Sequence, residues 1–108
     1  MVHDDGVLRI TETRSPPGLA IAGEIDEGTY PALVGTLKEL SGGAAGEIHF
    51  NLGDVDYCDL AGLRAIILLA GSDGDGRGRR LVLHNVPQQL RAVLRIVGWD
   101  ATPGLVLD

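Results

Sequence analysis

A chain of 108 residues, 44% hydrophobic and 22% charged, carries enough apolar side chain for one core and too much for a disordered coil. Its net charge of −6 argues against nucleic acid as a partner, because phosphate is gripped by basic surfaces. The longest apolar run, Ala65 to Ala70, is six residues against the roughly 20 that cross a bilayer, and the single cysteine, Cys58, excludes an internal disulfide.

These limits lead to the expectation of one cytoplasmic domain over residues 1–108, with no membrane contact. Residues 1–5 are expected as a flexible tail, lacking the basic and apolar regions of a secretory signal.

Val7 to Thr13 alternates, with Leu8 and Ile10 on one side and Arg9 and Thr11 on the other, the pattern of a half-buried strand. Arg14-Ser15-Pro16-Pro17-Gly18 is a turn, and Leu19 to Gly23 runs back as the second strand of a hairpin. Thr29 suits the N-cap of a first helix, whose apolar stripe is Tyr30, Leu33, Val34, Leu37 and Leu40 and whose stop is Gly42-Gly43. Glu47 to Leu52 reads as a third strand, with Ile48, Phe50 and Leu52 facing one way.

Asp59 can cap a second helix from Leu60 to about Ala70, apolar over most of its circumference and so largely buried. Gly71 to Gly78 is a glycine- and aspartate-rich loop, and Leu81 to Leu83 a fourth strand. Pro87 opens a third helix with the stripe Leu90, Val93, Leu94 and Val97, and Gly98 stops it. Leu105-Val106-Leu107 adds a short last strand. The order β-β-α-β-α-β-α-β implies one α/β domain: a mixed sheet of four to five strands opened by an antiparallel hairpin, later strands entering by parallel crossovers.

The charge is unevenly spread. Residues 1–59 hold eleven acids against three bases, and residues 60–108 four against six. The acids crowd at Glu24, Asp26 and Glu27 and again at Asp54, Asp56 and Asp59, two clusters that would form a recognition patch if their loops meet.

Catalytic and metal chemistry find little support. Cys58 lies between Tyr57 and Asp59, and a neighbouring carboxylate works against a reactive thiolate, so it is expected to fill core space. His49 and His84 alternate with apolar strand residues and belong to the opposite face, with no third ligand to make a metal site. Ser72-Asp73-Gly74-Asp75-Gly76-Arg77 fails as a calcium loop because Arg77 stands where an oxygen ligand is needed. A phospho-aspartate receiver is excluded by the position of the only lysine, Lys38, inside the first helix. None of the serines sits in a nucleophile elbow, so no enzyme activity and no cofactor are expected.

Asn51-Leu52-Gly53-Asp54-Val55-Asp56-Tyr57-Cys58-Asp59-Leu60-Ala61-Gly62-Leu63 resembles the signature of anti-sigma factor antagonists, the STAS domains. That signature runs Asp-hydrophobic-Ser-x-Val-x-aromatic-x-Asp-Ser-Ser/Thr-Gly-Leu and enters a helix. Gly23-Glu24-Ile25-Asp26 and Val97-Gly98-Trp99-Asp100 are similar to two flanking pieces of the same family, in register with it. The resemblance implies a STAS-like fold with helices packed mainly on one face of the sheet. It also implies a role as a protein-interaction module in transcription regulation, binding a serine-kinase anti-sigma factor of the GHKL type and thereby freeing a sigma factor.

By the same resemblance, the partner-binding residues are Asp26, Asp59, Leu60, Ala61, Gly62 and Leu63, and a homodimer is a further assembly to consider. In that family the partner kinase phosphorylates a serine or threonine just before the motif glycine. Here that position is Ala61, preceded by Leu60, and neither has a hydroxyl. The alternative implied by the departure is a regulatory or scaffolding STAS domain of another signalling or transport assembly.

Overall fold

In the computed structural model, which describes residues 2–43, 46–72 and 78–108, the alternating segments become strands and the 3.6-period segments become helices. The elements are β1 (His3–Asp4), β2 (Leu8–Arg14), β3 (Pro17–Ile25), α1 (Tyr30–Gly43), β4 (Glu47–Cys58), α2 (Leu60–Ile67), β5 (Gly71–Ser72), β6 (Gly78–His84), α3 (Gln88–Val97) and β7 (Leu105–Leu107). A single 3-10 turn at Trp99–Ala101 joins α3 to β7.

The sheet order is β1-β2-β3-β4-β6-β5, with β7 also paired to β6. β2 and β3 form the antiparallel hairpin, while β3–β4, β4–β6 and β6–β7 are parallel. Each parallel step is bridged by one helix, the economical way to return a chain to the same edge of a sheet. Leu8, Ile10, Leu19, Ile21, Phe50 and Leu83 bury one face of the sheet in a common core. Leu33 and Leu37 of α1, Leu63 and Ile66 of α2, and Leu90 and Leu94 of α3 complete that core, so the three helices cover the same face.

Two expectations are corrected. The sheet has seven strands among the described residues rather than four to five, and the additions are the two-residue β1 and β5. The tail expected over residues 1–5 is instead anchored from residue 2. His3 pairs with Ile10 and Asp4 with Arg9, and the Val2 amide donates to the Ile10 carbonyl at 2.9 Å. The outer edge of β2 has free backbone groups, and the short strand satisfies some of them. Asp5 fixes the turn that follows, accepting from the amides of Leu8 (2.8 Å) and Val7 (2.9 Å) and contacting His3 Nε2 at 3.0 Å. These bonds, the Leu8 amide foremost, hold the Asp5 carboxyl down at about 2.

β4 also runs six residues beyond its expected end at Leu52. Ala20 and Ala22 of β3 face Asn51 and Asp54, and Gly23 and Glu24 face Val55 and Tyr57, so β4 carries an extra residue at two points. Such bulges break the apolar alternation while the pairing continues, and they re-aim the side chains beyond them. Of the residues earlier compared with a calcium loop, 73–77 lie outside the described residues.

Candidate functional site at the start of α2

The long β4 delivers the chain to Asp59, whose extended backbone (φ −77°, ψ 171°) is that of an N-cap. Its Oδ1 accepts from the Gly62 amide at 2.8 Å, and its carbonyl accepts the first helical bond from Leu63 at 3.0 Å. The Asp59 amide donates to the Ile25 carbonyl at 2.9 Å, pinning the start of α2 to the end of β3. Gly62 lets this approach happen: a Cβ there would stand 2.2 Å from Ile25 Cγ2.

The loop after Ile25 is organised by its own side chains. Asp26 Oδ1 accepts from the amides of Gly28 (2.9 Å) and Thr29 (3.2 Å). The Thr29 hydroxyl, buried beneath, accepts from the Asp26 amide at 2.9 Å and donates to the Glu24 carbonyl at 2.9 Å. Thr29 precedes α1 as expected, but its hydroxyl braces the loop while its carbonyl takes the first helical bond from Leu33.

The expected site residues are thereby brought together and then divided by exposure. Leu60 is 52% exposed and Ala61 is exposed beside it. Asp26 and Asp59 are half-buried. Gly62 and Leu63 depart from the expectation of a contact role, because both face inward against the core. Their part is to seat the helix.

The two acidic clusters meet, since Glu24 lies opposite Tyr57 and Ala22 opposite Asp54 in the β3–β4 pairing. Glu24, Glu27, Asp54 and Asp56 are all exposed. Amid them stands Tyr57, 53% exposed, which sequence reasoning left unassigned. Its position in the motif was the available signal, but the direction it faces is set by the bulges, which depend on pairing with β3.

Cys58 closes β4 half-buried against the core, with its thiol directed at the Asp59 carbonyl (3.4 Å). Burial first, and the Asp59 carboxylate second, push the thiol up to about 12, which withholds it from nucleophilic work near neutrality. The site thus exposes apolar side chains, Leu60, Ala61 and Tyr57, together with the acids Glu24, Glu27, Asp54 and Asp56.

No helix among the described residues is long and apolar enough to cross a membrane. Among the same residues no group of three or more His, Cys, Asp or Glu is arranged to hold a metal ion.

A family model described as "Mlab, STAS domain" matches residues 8–107. Among solved structures, an anti-sigma factor antagonist from Mycobacterium paratuberculosis is 20% identical with a TM-score of 0.69, the match covering 98% of this chain and 90% of that one. An uncharacterised protein with a SpoIIAA-like fold from Shewanella loihica PV-4 is 16% identical with a TM-score of 0.49, over 94% of this chain and 84% of that one. Among curated proteins none matches.

Proposed function

Because this chain belongs to the STAS domain family, we propose that it is an anti-sigma factor antagonist-like interaction module that works without a phosphorylation switch. It binds a cytoplasmic anti-sigma factor of the GHKL serine-kinase type and so releases a sigma factor. Leu60 and Ala61 make the central contact, and Asp26 and Asp59 meet basic groups of the kinase. The observation that supports this reading most is the exposed Leu60-Ala61 pair at the capped start of α2, in register with the family motif.

The physics of the missing switch is simple. A phosphate at residue 61 would add roughly −1.5 to −2 charge beside Asp26 and Asp59 and disrupt an acidic contact surface by repulsion. Alanine has no oxygen to carry it, so the kinase cannot dismiss its antagonist by spending ATP.

The test mixes the purified protein with GHKL anti-sigma kinases from the same organism, with and without ATP. A complex that persists in ATP, with Ala61→Ser restoring ATP-dependent release, is the expected result. Absence of binding to every such kinase would overturn the reading.

A second reading has its own support: the matched model is described as Mlab, and the exposed turn lacks a hydroxyl. In that case the same surface docks this domain into another signalling or transport assembly. A pull-down that recovers a non-kinase complex, and loses it with Leu60→Asp, would favour it.

A further inference from the structure

We propose that His49 and His84 form a proton-binding site that latches β4 to β6 and to Asp108 beyond β7. It lies on the sheet face opposite the helices and does not depend on the proposed partner.

His49 and His84 come from neighbouring parallel strands, where Asn51 stands opposite His84 and His49 opposite Val82. Nδ1 of His49 lies 2.8 Å from Nε2 of His84. The ring planes differ by 15°, and the ring centres are 5.1 Å apart, far more than the nitrogens, so the rings meet end-on. The outer nitrogens are engaged as well: His49 Nε2 contacts Glu47 Oε1 at 2.6 Å, and His84 Nδ1 contacts Asp108 Oδ2 at 2.6 Å. The result is an unbroken line, Glu47–His49–His84–Asp108.

An ionised carboxylate only accepts, so each outer ring nitrogen must carry an N–H. A neutral imidazole has one N–H, so two neutral rings spend both on the carboxylates. Two lone pairs would then face each other at 2.8 Å, a hydrogen-bond distance with no hydrogen in it. One added proton turns the repulsion into an N–H···N bond; a second would set N–H against N–H. Placing the added proton on a carboxyl group leaves the same count. The line is complete with a single proton beyond two neutral histidines.

Two carboxylates and one added proton leave the line a net −1, and two cations stand beside it. Arg80 of β6 lies 3.7 Å from Glu47, and Arg91 of α3 donates to the Asp108 carbonyl at 2.9 Å. The adjoining cleft, about 240 Å³, is otherwise lined by uncharged groups, including Thr13, Ser15, Asn51 and Asn85. The imidazoles are only 17% and 24% exposed, which limits competition from water, and the cleft gives protons a route in.

NMR of the unmodified protein, with ring nitrogens labelled, tests the count directly. Wherever the added proton rests, a scalar coupling should run across the N–H···N bond between His49 Nδ1 and His84 Nε2. Thermal unfolding then compares this protein with His84→Gln, which breaks the line and should unfold about 5 °C lower. No coupling between the two inner nitrogens, or an unfolding temperature unchanged in the variant, would overturn the proposal. So would one equivalent of zinc ion seated between the rings in place of the proton.

Discussion

The hydrogen that stands for a side chain at Gly62 is what allows α2 to press against Ile25. Adding a methyl there, 2.2 Å from Ile25 Cγ2, forces a buried residue to shift. Gly62→Ala should cost about 1–3 kcal/mol, read from urea unfolding. Gly23 carries a stronger demand, with φ +97° and the Val7 carbonyl oxygen 2.0 Å from where a Cβ would sit, so the glycine of the Gly-Glu motif serves the hairpin. Cys58, with its thiol held near 12, should resist iodoacetamide at pH 8 in the folded protein and react readily in urea, as mass spectrometry would record. The unfolded thiol ionises near its ordinary 9.0 while the folded one waits until about 12, so stability is lost as pH rises through that window. The sequence foretold a core-filling cysteine from its neighbours, but the depth of burial that dominates its chemistry comes from packing.

At the scale of elements, α2 separates stability from recognition within one turn. Leu63 is 1% exposed and Leu60 is 52% exposed, three residues apart. Leu63→Ala should cost about 2–5 kcal/mol of folding stability, whereas Leu60→Ala should change it by no more than about 0.5 and act on partner binding. Chemical denaturation beside a binding titration distinguishes the two. The N-cap was legible because Asp before an apolar run has a mechanism. Which apolar residue of that run faces solvent was not legible, since a helix apolar over most of its circumference leaves its orientation to its neighbours. β1 makes the complementary case. No alternation marks His3–Asp4, yet Asp5 organises the turn behind it. The Asp5 carboxyl ionises near 2 rather than 3.8, so its contribution is present above 3.8 and fades as pH falls toward 2. The stability difference between Asp5→Ala and the unmodified protein should shrink over that interval in acid unfolding curves.

At the scale of the whole molecule, charge is sorted along the chain and then gathered in space. The acids of residues 24–27 and 54–59 meet at the carboxyl ends of β3 and β4, around Tyr57 and the start of α2. A surface of this sign speeds encounter with a basic partner and is screened beyond roughly 10 Å at 0.1 M salt. For any partner held at this face, the association rate should fall steeply between low and physiological ionic strength while dissociation changes less, measurable by stopped-flow mixing.

Local order alone determined the succession of hairpin, helices and later strands, the capped motif that leads into α2, and the absence of a hydroxyl at residues 60 and 61. Those features are written in periodicity, in turn residues and in side-chain chemistry, all readable within a few neighbours. The tertiary structure decided the two bulges that lengthen β4, the meeting of the acidic clusters, the outward turn of Tyr57 and the end-on pairing of His49 with His84 across 35 positions of chain. Register between distant strands is chosen by how a whole sheet packs on its helices, and no short window of sequence contains that choice.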